Sequence, residues 1–213
     1  MKKGEETKNK ILSTAKKFFH EKGYKKTSMK EIAETVGIAQ GNLTYYFPTK
    51  DYLVSVIFND YFLRIKDYAV ENIPKCRNAY YKHFYVSMIF NINIFDDPIT
   101  TSFYYETLKK QSVDFLMHSS IDLVYSDFIE IFNLPITKKQ FKYLTAADYG
   151  ARREVLLKYI EDDAKMPPKD LVVLILTNTS RLLGIRDVDL FRASYEAYRQ
   201  IDRYSFSHIQ LLK

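Results

Sequence analysis

Apolar side chains recur at Ile11, Leu12, Ala15, Phe18 and Phe19, three or four residues apart, while Lys8, Lys10, Lys16, Lys17 and Lys22 fill the other side. That period predicts an amphipathic helix over 8–22, ended by Gly23. Ser28-Met29-Lys30-Glu31 has the S-x-x-E form of a capping box. Ile32, Ala33 and Val36 give the following helix a buried side, and Gly37 stops it by accepting a left-handed backbone. A short third segment, Ala39 to Phe47, is closed by Pro48, which pushes its predecessor out of the α region. Thr49 then offers a cap for a long fourth helix with Asp51 in its first turn.

Farther along, breaks fall at Ile73-Pro74, Asp96-Asp97-Pro98, Asn133-Leu134-Pro135, Met166-Pro167-Pro168 and Leu183-Gly184. They leave helix-sized stretches over 76–95, 98–117, 120–132, 137–161, 168–183 and 187–204, with a second capping box at Thr137–Gln140. Tyr85–Phe95 is rich in β-branched and aromatic residues and reads as a strand in isolation, but its helical surroundings favour a helix. Six Gly and six Pro in 213 residues are too few for the many tight turns of an all-β fold. The expected fold is all-α.

Charge changes the picture more than composition does. The whole formal excess of +6 sits in residues 1–50, where 11 Lys meet five Glu; the remaining residues balance. Such asymmetry suits a polyanion, either nucleic acid or an anionic membrane surface, or simply a solvated lysine-rich face. Cys76 is alone, as in a reducing cytoplasm. Met1-Lys2-Lys3 is followed by no apolar run of signal-peptide length. The longest aliphatic run, Leu171–Leu176, is far short of the ~20 residues of a membrane span. A cytoplasmic protein without membrane association is therefore expected.

Residues 28–47 have the layout of a helix-turn-helix, whose second helix enters the major groove of DNA. In Gln40-Gly41-Asn42-Leu43-Thr44-Tyr45-Tyr46 only Leu43 is an unambiguous core residue. The others pack poorly and suit base edges and phosphates. Residues 27–53, TSMKEIAETVGIAQGNLTYYFPTKDYL, resemble the DNA-binding region of the TetR family of transcriptional repressors. Thr27, Ile32, Ala33, Gly37, Gly41, Leu43, Phe47, Lys50 and Leu53 fall in register, and the upstream Ile11–Lys25 is similar to the family's first helix. Ala39 replaces the usual Ser, Thr44 the usual Tyr and Tyr46 the usual His, so the groove-facing chemistry is this chain's own.

The resemblance implies a three-helix DNA-binding domain over 1–50 and a larger helical ligand-binding and dimerisation domain over 51–213. It implies that Thr27 and Ser28 bring a helix N-terminus to phosphate and that Gly41 allows close backbone approach. Gln40, Asn42 and Thr44 would read bases, Tyr45 and Tyr46 contact phosphate or sugar, and Lys50 neutralise a phosphate. Tyr46 has a second reading, as a ring packed inside the head.

The partners implied are a palindromic double-stranded operator, a second copy of the chain, and an apolar or aromatic small-molecule effector. Aromatics that either line such a pocket or form plain core are Phe84, Tyr85, Tyr104, Tyr105, Phe115, Tyr125 and Phe128, with His118, Tyr149 and Arg152 as polar anchors; His83 is a further polar candidate. A dimer interface is expected at Leu171, Leu174, Ile175, Asn178 and Leu182 and at Phe191, Tyr195 and Tyr198, on two stretches apolar beyond one stripe. His20, His83, His118 and His208 lie at least 35 residues apart, and no nucleotide-binding or nucleophile motif occurs. No catalytic residue, metal or cofactor is expected. The competing readings are an enzyme with an unrecognised site and a basic helix on anionic membrane.

Overall fold

The structure, a computed structural model, describes residues 3–110, 114–163 and 165–213, and their side chains except at 3, 114–121 and 187. Its regular elements are helices: α1 (Lys3–Lys26), α2 (Met29–Val36), α3 (Gln40–Tyr46), α4 (Lys50–Asn72), α5 (Ala79–Phe95), α6 (Pro98–Lys110), α7 (Asp114–Ile131), α8 (Lys138–Glu161), α9 (Pro168–Leu182) and α10 (Asp187–Gln200). Short 3-10 turns occupy Pro74–Arg77 and Ile201–Arg203.

The local chemistry sets most of the boundaries. Gly23 takes φ 77° and ψ 176°, so the first helix breaks there and resumes for one turn to Lys26. Ser28 Oγ accepts from the Glu31 amide at 3.2 Å, and the Glu31 carboxylate takes the Lys22 ammonium at 2.6 Å. Gly37 caps α2 in the left-handed region, while Ala39 gives α3 no side-chain cap. Thr49 caps α4 through the Tyr52 amide, and the Thr137–Gln140 capping box is complete.

Two boundaries differ from the sequence pattern. The expected break near 118–119 is absent, because α7 runs through it from Asp114 to Ile131. The last helix stops at Gln200, and residues 204–213 form a tail without regular structure.

α5 is the centre of the fold. Tyr80, Phe84, Tyr85, Val86, Met88, Ile89, Phe90 and Ile94 are buried, and it packs against α4, α6, α7, α9 and α10. A helix wetted on so few sides needs apolar residues nearly all round, which is why Tyr85–Phe95 carries a strand-like composition. The head formed by α1 to α3 closes over Ile11, Ala15, Phe19, Ile32, Ala33, Leu43 and Phe47, all within 2% of full burial. It is fastened to the rest by α6, which lies along α1. Phe19 meets Phe103 at 5.0 Å, and Phe103 stacks on Phe58 of α4 at 6.1 Å.

The tail returns across α5 and α4 to the head. Asn93 Nδ2 donates to the carbonyls of Phe206 (3.1 Å) and Ile209 (2.8 Å), and Arg64 Nη2 to that of Gln210 (2.8 Å). Leu211 and Leu212 are buried, and Leu212 shares a cleft with Leu12 of α1 and Ile57 of α4.

Candidate nucleic-acid interface

α3 is anchored by one side chain. Leu43 is fully buried, with Phe47 at the C-terminal cap equally so. Gln40, Gly41, Asn42, Thr44 and Tyr45 are all exposed, Tyr45 at 84%. Thr44 Oγ1 donates to the Gly41 carbonyl at 3.0 Å. The face is therefore a strip of amide, hydroxyl and bare backbone projecting from the head. A methyl group on Gly41 would meet no atom of the chain within 4 Å. Ala would also suit the helix better by ~1 kcal/mol, so nothing inside the protein calls for glycine at that position.

Three of the residues expected at phosphate have partners or packing within the chain. Thr27 is 1% exposed and its hydroxyl donates to the Gly23 carbonyl at 2.8 Å. Lys50 Nζ donates to the carbonyls of Tyr24 and Thr27, each at 2.9 Å, and lies 4.1 Å from the Tyr24 ring centroid. Burial pushes the Lys50 ammonium below its ordinary range. Tyr46 is half-buried, packs on the head core, and meets Tyr45 edge-on at 5.5 Å. The physical reason is common to Thr27 and Lys50: the break at Gly23 leaves backbone carbonyls that need donors, and these side chains reach them. Ser28 is exposed and caps α2.

Lys8, Lys10, Lys25, Lys26 and Lys30 remain exposed, whereas Lys16 pairs with Asp60 at 3.1 Å and Lys22 with Glu31. Tyr24, Asp51 and Lys110 form a junction the sequence pattern did not suggest. The Tyr24 hydroxyl donates to Asp51 and accepts from Lys110 Nζ at 2.7 Å, tying α1, α4 and α6. Glu106 accepts from the Lys25 amide at 3.1 Å beside the same break.

Among the expected pocket residues, Phe84, Tyr85, Tyr104, Tyr125 and Phe128 are buried core. Tyr105 donates to Glu161 at 2.6 Å and Tyr149 to Asp122 at 2.7 Å. Phe115 and His118 lie outside the described side chains. Arg152 belongs to a buried polar knot: its Nε donates to Asp148 at 2.5 Å, and Thr179 donates to Asp148 at 2.8 Å. The Asp148–Arg152 spacing of four on a helix is a signal the sequence carried. None of the described side chains among them lines the cavity of about 270 Å³ between α4, α5 and α7, where His83 forms part of the wall.

The expected dimer face divides. Leu171 and Ile175 are buried in the chain's own core, because α9 packs on α5, α8 and α10. Asn178, Leu182 and Tyr198 are half-exposed. Leu174, Phe191 and Tyr195 are 49%, 59% and 61% exposed, and Val188 is 56% exposed.

Residues 11–57 match the family described as bacterial regulatory proteins, tetR family. Over 52 residues the chain is 42% identical to an uncharacterized HTH-type transcriptional regulator, YuxN, of Bacillus subtilis (strain 168), covering 24% of this chain and 18% of that protein. The match thus spans less than a fifth of that curated relative. Among solved structures, RolR in complex with resorcinol is 16% identical, covers 90% of this chain and 94% of its own, and superposes with a TM-score of 0.61. The fatty acid degradation regulator FadR from Bacillus halodurans is 17% identical, covers 83% of this chain and 97% of its own, with a TM-score of 0.51. At such identities the likeness is one of fold. Among the described residues no helix is long and apolar enough to cross a membrane.

Proposed function

From the match of residues 11–57 to the tetR family of bacterial regulatory proteins, we propose that the chain is a homodimeric repressor of transcription. Residues 1–50 act as the DNA-binding domain. Residues 51–213 hold an apolar or aromatic small molecule and form the dimer, in the cytoplasm. The observation that carries this reading is the exposed strip on α3, where Gln40, Asn42, Thr44 and Tyr45 surround a glycine that no neighbour requires. Asn and Gln can pair bidentately with adenine, the Thr methyl can meet thymine, and a bare Cα lets the helix approach the groove floor.

Lys50 and Thr27 have a role in this reading other than the one the resemblance implies. They hold the end of α1 against the starts of α2 and α4, so that α3 projects at a fixed angle. Exposed lysines then supply the sequence-independent attraction. Dimerisation rests on Leu174, Val188, Phe191 and Tyr195, exposed apolar residues of α9 and α10, two helices that pack together. A two-fold dimer presents two heads and reads a palindrome.

The test is fluorescence anisotropy with promoter fragments across a salt series. Binding should weaken steeply with salt, and Asn42→Ala should flatten discrimination at one operator position by ~1–3 kcal/mol. Phe191→Asp should give a folded monomer in analytical ultracentrifugation. Salt-independent binding, or an Asn42→Ala protein with unchanged sequence preference, defeats the reading.

A further inference from the structure

The tail, residues 204–213, is held by side chains of other elements. A segment without regular structure must find partners for its backbone carbonyls elsewhere. Asn93 of α5 serves those of Phe206 and Ile209, and Arg64 of α4 serves that of Gln210. Phe206, Ile209, Leu211 and Leu212 are buried, while Ser205, Ser207 and His208 are exposed. Arg64 also reaches beyond the tail. Its Nε donates to Asp60 Oδ2 at 3.2 Å, and the same oxygen accepts from Lys16 Nζ of α1 at 3.1 Å. One polar chain thus joins tail, α4 and head: the Gln210 carbonyl, Arg64, Asp60 and Lys16. A guanidinium suits its centre, because a planar fork of donors serves two acceptors at once. Lys16 is committed to this link, with its side chain only 16% exposed. Leu212 lines the cleft that Lys16 and Asp60 also line, so the apolar end of the tail lies at the same place.

We propose that the tail is a strap that restrains the head, and that Asn93, Arg64, Asp60 and Lys16 are positioning residues for operator binding. The proposal rests on the regulator reading above and concerns how tightly the operator of that reading is held. α6 and the Lys50 bonds set the orientation of the head at the Gly23 end of α1. The strap adds a second hold on α1, about two turns earlier, at Lys16. A body held at one place pivots about it, and a second hold narrows that motion. Seating α3 in a groove requires one angle of the head, so a head already restrained loses less freedom on binding. None of the four residues needs to touch DNA for this. Their effect is on affinity for every operator alike, and it carries no change in the number of phosphates neutralised.

Amide hydrogen exchange on the full chain without DNA, and operator anisotropy on the same samples, test the strap. Asn93→Ala removes both of its carbonyl bonds at a half-buried position and favours the α5 helix, so the core should stay folded. The Ile209 amide, which donates to the Phe206 carbonyl at 3.0 Å, reports the tail. That amide and the α1 amides over 12–20 should exchange about fivefold faster or more, while those of α5 stay within about twofold. Operator affinity should fall about threefold or more. Arg64→Met should act alike and leave the salt slope unchanged, whereas a lost phosphate contact would reduce it by ~0.9 per head. Asp60→Leu cuts the link between Arg64 and Lys16. In that background Asn93→Ala should still free Ile209 but alter α1 by less than about twofold. An Ile209 or α1 that Asn93→Ala leaves unmoved, an α5 accelerated equally, an α1 effect that survives Asp60→Leu, or a reduced slope in Arg64→Met overturns the proposal. A parent that binds no promoter fragment while the exchange pattern holds refutes the regulator reading alone. Unchanged affinity in Asn93→Ala, with the parent binding its operator, refutes the strap alone.

Discussion

Lys50→Met separates two roles for one side chain. The substitution keeps the apolar stem and removes the ammonium that donates at 2.9 Å to the Tyr24 and Thr27 carbonyls. Hydrogen bonds from a charged group are worth ~1.5–3 kcal/mol each when buried. Lys50 is only half-buried, and solvent screening discounts both bonds, so the pair together is taken at ~1.5 kcal/mol. Adding a cation–π contact of ~0.5 kcal/mol gives a total loss of about 2 kcal/mol. For a chain of this size that lowers Tm by roughly 4–8 °C. Calorimetry reads that shift, and anisotropy in a salt series reads the other role. A lysine that neutralises a phosphate contributes about 0.9 to the slope of log K against log salt for each head. If the structural placement governs, the variant loses stability while its salt slope stays within about 0.3 of the parent. An unchanged Tm together with a slope reduced by ~0.9 per head refutes the inward role and restores the phosphate contact.

Two further perturbations follow from burial and backbone geometry. His83 has its pKa lowered to about 3 by burial and by Arg152, so between the ordinary imidazole value of ~6.5 and that value the unfolded chain binds the extra proton. Stability therefore falls as pH falls through this window. One unit below the unfolded pKa the loss is ~1.4 kcal/mol, and urea midpoints at two pH values should show it in the parent and lack it in His83→Phe; equal pH dependence in both refutes it. Gly23→Ala forces a side chain into φ 77°, ψ 176°, with Cβ 3.1 Å from Glu106 Oε2. It should cost ~2 kcal/mol in urea unfolding, and a neutral effect would mean the break can relax.

The helical layout was largely legible because its boundaries are local. Ser28, Gly37, Pro48, Thr49 and Thr137 act within a few residues of themselves, and each did what its chemistry demands. Exposure on α3 was legible for the same reason, since one apolar residue in seven can anchor only one side. The inward turn of Lys50 was not. A lysine serves a phosphate or a carbonyl equally well, and the choice depends on where the Gly23 break places the Tyr24 carbonyl, 26 residues away. Leu171 and Ile175 illustrate the same limit. An apolar helix is easily recognised, but the number of its sides covered by its own chain follows from the packing of α5, α8 and α10. The lone histidine in the cavity wall had no neighbouring motif, because its surroundings come from α4 and α7.

The returning tail gives the fold a long-range closure. Leu212 and Leu12 line one cleft although roughly 200 positions of chain separate them. Contacts of such separation form late, because the intervening loop must be ordered first. The head is local in sequence and can assemble its three helices early, yet one flank stays uncovered until the tail arrives. The tail thus adds a late flank to a head whose orientation α6 and the Lys50 bonds already set.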